Sequence, residues 1–286
     1  IDHNVNRPWK RRAHEWALTL PSLAWLALFF VIPTIIVFAI AFRPSDPYGG
    51  IGEGWTLKTL RDLGNPNYPK IIDRTLLLSI GSTAVCLALA VPMAYYMARI
   101  SRKYRQILML LVIIPFWTNF LIRIFAWKVL MHPEGPLKQV LVALRLASPS
   151  TVLLYRWEAV FLVIVYTSLP FAILPIYAAA EKFDFSLLEA ARDLGAGKLT
   201  AFWKVFMPGI RRGLVTAMLM VLVPALGSYV IPDLVGGSSS EMIGNKIAQR
   251  TFVDRNLPHA SALASLLTLA ALTPMVALLV SRHRRG

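Results

Sequence analysis

Of 286 residues, 56% are hydrophobic and only 16% charged, a balance far from that of a water-soluble globular domain. The formal net charge of +15 would suit a nucleic-acid binder with a soluble surface, but here the basic residues cluster between long apolar runs, so the excess reads as membrane topology and nucleic acid is excluded as a partner. The lone Cys86 and five scattered histidines offer neither an intramolecular disulfide nor metal-ligand spacing.

Runs of about 20 mostly apolar residues, enough to cross a bilayer as a helix, occur six times: approximately Trp16–Phe42, Leu76–Ala98, Ile107–Met131, Ala159–Ala180, Gly213–Ile231 and Ala260–Val280. The expected class is all-α integral membrane, with a basic tail over residues 1–15 and one transmembrane domain over 16–286. The first run is too long for a secretory signal and no small-x-small cleavage site follows, so an uncleaved helix is expected. Because the chain begins with Ile1, residues are expected to precede it. Gly49-Gly50-Ile51-Gly52 lacks the flanking strand and helix of a phosphate-binding turn and is expected to be a flexible outer loop. A short interfacial helix is expected at Trp55–Arg61. Prolines within the runs (Pro33, Pro92, Pro115, Pro170, Pro224, Pro274) are tolerated where neighbouring helices satisfy the freed carbonyls.

Basic residues set the orientation. The two tails and the loops around Arg102 and Lys198 carry seventeen basic and six acidic residues; the other three loops carry eleven and nine. Positive charge stays on the cytoplasmic side, so both termini and the loop over 181–212 are expected there. Within the third run, Arg123 and Lys128 near its outer end either snorkel to the interface or serve transport. At the outer end of the fifth, Tyr229 and Asp233 flank helix-breaking residues. A carboxylate beside an aromatic ring would suit an ammonium group, and a simple helix-end cap is the equal alternative.

The 181–212 loop is the most informative. Ser186 precedes Glu189 by three residues, the spacing of a capping box, and Gly195 suits the left-handed residue that ends a helix. A two-turn helix from roughly Leu187 to Leu194 follows, with Leu187, Ala190, Ala191 and Leu194 in one apolar stripe and Glu189, Arg192 and Asp193 opposite. A second piece, about Lys198–Phe206, is expected to stop before Pro208. No GxxxxGK[ST] loop is present, so the chain is not expected to hydrolyse ATP, and no catalytic residue, metal or cofactor is assigned to it.

Glu189-Ala190-Ala191, Gly195 and Val205-Phe206-Met207-Pro208 resemble the EAA loop of bacterial ABC importer permeases, whose coupling helix docks on a cytoplasmic ATPase. Pro115-Phe116-Trp117-Thr118-Asn119-Phe120-Leu121-Ile122-Arg123, Val223–Gly237, Met242-Ile243-Gly244-Asn245 and Arg255-Asn256-Leu257-Pro258 are similar to signatures of spermidine/putrescine permeases of the first type. Leu257 stands where that group usually has tryptophan, and Arg212 where the EAA loop often has a second proline. The resemblance implies a six-helix type I importer half in the bacterial inner membrane. It would act with a second homologous permease, two ATP-binding subunits that hold ATP and Mg, and a periplasmic binding protein. The implied coupling residues are Ser186, Leu187, Glu189, Ala190, Ala191, Asp193, Gly195 and Pro208. Trp117, Asn119, Tyr229 and Asp233 are the candidates for the path of a small cationic solute such as putrescine or spermidine. Relatives move aminophosphonates and iron as well, and a stand-alone secondary transporter is the alternative from another class.

Overall fold

The computed structural model describes residues 19–65 and 67–283. The basic tail expected over 1–15, the start of the first run, and Arg284 and Arg285 lie outside them. Regular structure among the described residues is helical, and the one β contact is an isolated bridge between Ser45 and Ile51. The chain divides into two compact units, one comprising residues up to Gly64 together with Gln249–Thr268, the other Asn65–Ala248 with the residues from Leu269 on.

In the smaller unit, α1 (Thr19–Ile40) runs through a π-helical turn at Ala27–Val31. It is long and apolar enough to span a membrane, and its large side chains, Leu23 to Ile36, are exposed. Such a surface is compatible with lipid or another protein, not water. The glycine stretch expected to be flexible is an ordered turn. Gly49 and Gly50 have φ of 96° and 103°, which only glycine adopts readily, and the Gly50 and Gly52 amides donate to Arg255 O and Pro44 O, each at 2.8 Å. The short helix expected at Trp55–Arg61 is α2 (Lys58–Asp62), tied back by the Thr59 hydroxyl donating to Arg43 O at 3.0 Å.

The larger unit is organised by α3 (Asn67–Arg99), whose chain passes through Pro92. It is followed by α4 (Arg102–Ile113), α5 (Phe120–Leu130), α6 (Pro136–Ala143) and α7 (Trp157–Glu181). Then come α8 (Ser186–Asp193), α9 (Lys198–Gly209), α10 (Arg211–Leu226), α11 (Val230–Val235), α12 (Ile243–Ala248) and α13 (Leu257–His283), the last shared with the smaller unit. Helices α3, α7 and α10 pack on one another around two buried clusters. One gathers Met97, Ile176, Tyr177, Ala180, Leu188, Phe206 and Ile210; the other gathers Leu78, Ile124, Val160, Ile164, Ala225, Ile231 and Met242. Gly213 lets α10 approach α7 closely: a Cβ there would lie 2.5 Å from Ala179 Cβ and 2.7 Å from Pro175 O. Some buried hydroxyls are satisfied by their own helices, Thr83 donating to Ser79 O at 2.6 Å and Thr167 to Val163 O at 2.8 Å, whereas the buried Ser79 and Ser265 hydroxyls have no partner among the described residues. Bonds to the carbonyl one turn back are the local option open to a hydroxyl on a helix buried away from water.

The apolar runs fall on helices, with two corrections. The third run is not one straight span. Helix α4 passes into a 3-10 turn at Ile114–Trp117, and α5 leaves at 93°. Pro115 lacks the amide that would continue the ladder, and the Thr118 hydroxyl donates to Pro115 O at 2.7 Å. Asn119 Oδ1 then accepts the Leu121 amide at 2.8 Å, starting the new helix. The second correction concerns Pro208, expected to lie beyond a helix end. It lies inside α9, which widens into a π-helical stretch at Phe202–Phe206. There the Met207 amide reaches back to Phe202 O, and the wider turn gives the proline ring room. The chain stops at Ile210 and bends 71° into α10.

Candidate functional site

The 181–212 loop folds as a short helix laid on an aromatic base. Its start differs from the expected capping box. The Ser186 amide donates to Asp184 Oδ1 at 3.0 Å, so Asp184, not the Ser186–Glu189 pair, closes the first turn. A carboxylate two residues upstream forms a compact Asx turn and is a stronger acceptor than a hydroxyl. Hydrogen bonds from the Ser186 side chain and backbone hold the Asp184 carboxyl below its ordinary range. Gly195 behaves as expected, with φ of 88°. The Gly195 amide donates to Arg192 O at 2.9 Å and the Ala196 amide to Ala191 O at 3.0 Å, the paired bonds of a Schellman closure.

The faces of α8 also differ from the expected stripe. Leu188, absent from it, is the buried residue of the helix and joins the cluster of Phe206, Ile210 and Tyr177. Ala191 is half-buried against the same cluster. Leu187, Ala190 and Leu194 are left on the free face, Leu194 being 90% exposed, flanked by exposed Glu189 and Asp193. A helix with apolar groups at i, i+3 and i+7 turned outward is built to be covered by another surface.

Beneath α8 lies a knot of rings. Tyr95 meets Phe206, Phe202 and Phe185 edge-on at 4.9, 5.4 and 5.9 Å, and Phe183 meets Phe185 and Phe206 at 5.3 and 5.2 Å. Edge-to-face pairs contribute roughly 0.5–1.5 kcal/mol each beyond burial, so the rings join α3, α9 and the residues that lead into α8. Arg99 donates to Tyr95 Oη at 2.6 Å with its guanidinium over the ring at 5.3 Å. It borders a pocket of about 280 Å³ shared with Glu189, Arg192 and Lys198. Nearby, Arg105 pairs with Glu181 at 3.1 Å and links the start of α4 to the end of α7.

A second feature lies at least ten residues back along α7 from Glu181, about 15 Å on a helix. A cavity of about 480 Å³ is walled by Phe116, Phe120, Arg123, Thr167, Phe171 and Tyr229, among others. Of the four path candidates, Tyr229 alone lines it. Trp117 is outside the lining and 77% exposed, Asn119 is engaged as the cap of α5, and Asp233 is an exposed residue on α11 outside the cavity wall. The Arg123 guanidinium lies over the rings of Phe116 and Phe120 at 5.1 and 5.8 Å. Tyr229 is fixed through its backbone, its carbonyl accepting from Asn245 Nδ2 at 3.0 Å while Asn245 Oδ1 accepts the Met242 amide at 3.1 Å. Thr75 of α3 accepts the neighbouring Ile243 amide at 3.0 Å. Gly244 is needed here, since a Cβ would lie 2.6 Å from Ser228 O.

Phe116, Phe120 and Arg123 stood within a recognised motif. Leu188, Asp184 and Phe171 were missed as site residues; the Asx spacing from Asp184 to Ser186 was the available signal for one of them.

Comparison with known proteins places this geometry in a family. Residues 90–285 match the family described as binding-protein-dependent transport system inner membrane component. The spermidine/putrescine transport system permease protein PotB of Haemophilus influenzae is 38% identical over 263 residues, covering 92% of this chain and 90% of that protein. PotB of Escherichia coli K12 is 34% identical over 247 residues, 86% of this chain and 90% of that protein. Among solved structures, a bacterial ABC transporter that imports the acidic polysaccharide alginate superposes with a TM-score of 0.72 at 20% identity, over 97% of this chain and 99% of that one, which establishes the shared fold. The chain therefore belongs to the binding-protein-dependent transport system inner membrane components, as a multi-pass permease subunit of an ABC importer with the type I fold.

Proposed function

We propose that the chain forms half of the translocation path of an ATP-driven polyamine importer, taking spermidine or putrescine from a periplasmic binding protein. The relatives' printed substrate, over about nine-tenths of both sequences, supports the cargo. The observation that carries the mechanism is α8: closed at both ends by its own chain, anchored through Leu188, and turning Leu187, Ala190 and Leu194 outward. An ATP-binding subunit covers that face, with Glu189 and Asp193 at its rim, and Gly195 and Pro208 set the geometry of the loop. Two such subunits, one on this chain and one on a second homologous permease, bind ATP with Mg and close together. Their movement reaches the bundle through the aromatic knot, because α9 continues at a fixed bend into α10, whose far end carries Gly227 and Tyr229 into the cavity wall. Trp117, Asn119 and Asp233 are then entry-side residues next to that wall. The excess of basic residues in both tails and in the loops around Arg102 and Lys198 supports a cytoplasmic position for both termini and α8.

The test is reconstitution of the chain with a companion permease, ATPase and binding protein in proteoliposomes. ATP-dependent accumulation of labelled spermidine or putrescine is expected, and Ala190→Trp is expected to abolish it together with ATPase co-purification. Uptake that persists in that variant would remove α8 as the docking element.

A further inference from the structure

Arg123 is the charged side chain on the cavity wall among the described lining residues, and it has no carboxylate partner. Its Nε is buried without a hydrogen bond, while its guanidinium rests on Phe116 and Phe120, which line the same cavity. A guanidinium with one donor unpaired in apolar surroundings is held by the negative ring faces rather than by an ion pair. Those faces are also the strongest cation-binding surfaces the cavity offers, alongside Tyr229. We infer that Arg123 is a tethered competitor of the cargo: it occupies the aromatic seat an incoming ammonium would take, and its charge repels a polycation. This rests on the polyamine reading. The competition keeps the path a poor binder, which a conduit requires, since a passing cation must be able to leave as readily as it enters. High affinity is left to the binding protein.

The inference makes affinity depend on cargo charge. In the wild-type assembled complex, equilibrium retention without binding protein is expected to fall from butylamine to putrescine to spermidine, because repulsion by Arg123 grows with each ammonium. Arg123→Gln, assayed in the same complex, is expected to raise spermidine retention about tenfold, putrescine less and butylamine least, and to slow release after one turnover. Arg123→Lys keeps the charge and should stay near wild type. Unchanged or weaker spermidine retention in Arg123→Gln overturns the proposal, as does an equal gain for all three amines. If that variant fails to assemble, the wild-type series decides alone: retention that rises with charge overturns it. Wild-type complex that imports polyamines while these signatures are missing sinks only the role of Arg123. Wild-type complex that imports none sinks the polyamine reading and this proposal with it.

Discussion

Leu188→Ala separates anchoring from docking in α8. Leu188 is 8% exposed and is the residue through which this helix enters the buried cluster of Phe206, Ile210 and Tyr177. Deleting a buried leucine to alanine costs about 2–5 kcal/mol, and a site at the rim of a cluster, where neighbours can relax, belongs near 2. A two-turn helix cannot offset that loss alone, since isolated helices of this length are unstable in water. A loss of about 2 kcal/mol shifts the seated population by roughly 30-fold, so the lever detaches from the bundle while its outer face, Leu187, Ala190 and Leu194, is chemically intact. In proteoliposomes containing the whole complex, ATP hydrolysis and labelled spermidine uptake would be followed together. Co-purification of the ATPase should be retained, uptake should fall by about an order of magnitude, and hydrolysis should continue uncoupled. Leu187→Ala should do the reverse, weakening co-purification without loosening the loop. Should Leu188→Ala transport at the wild-type rate with normal coupling, force does not pass through this contact.

Further outcomes are expected elsewhere. Gly213→Val should prevent stable assembly, because the new Cβ meets Pro175 O at 2.7 Å and backbone cannot step aside; a wild-type melting temperature in detergent would refute this. Gly195→Ala meets open space but must adopt φ near 88°, costing about 1–2 kcal/mol; amide exchange at Asp193–Ala196 should rise while the bundle stays protected. The lowered Asp184 carboxyl makes the cap pH-dependent in acid only. Its contribution is complete above the ordinary carboxylate range and lost as pH falls through the depressed value. Protection of the Ser186 amide should therefore hold from pH 7 down to the ordinary aspartate value of about 4 and fail only in stronger acid, and Asp184→Asn should remove that dependence.

The helices were legible because lipid imposes one rule, long apolar runs, and α3 and α7 obey it without interruption. The right-angle break at Pro115–Asn119 was not, because Thr118 and Asn119 look like two tolerated polar residues until one caps a new helix. The ends of α8 were half legible. Gly195 has a unique steric warrant, whereas Glu189 and Asp184 compete for the Ser186 amide, and only the folded geometry decides between the two acceptors. The face of α8 was misassigned by one position, since Leu187 and Leu188 are equally apolar and the partner that buries Leu188 arrives from Phe206, eighteen residues on in sequence. The cavity was least legible. It draws on α5, α7 and α10, and no local pattern announces that Phe116, Phe171 and Tyr229 converge.

The two closures of α8 bear on how quickly the machine can cycle. Fixing one residue's backbone costs roughly 1–2 kcal/mol of conformational entropy, and a loop that had to coil up afresh each time a motor returned would meet that penalty at every stroke. Here the eight residues from Ser186 to Asp193 are already wound, locked at the front by a carboxylate and at the back by a glycine turn. In the proposed docking role of α8, re-engagement is a collision between finished shapes, and the energy of nucleotide closure is left for displacing the walls instead of organising the handle.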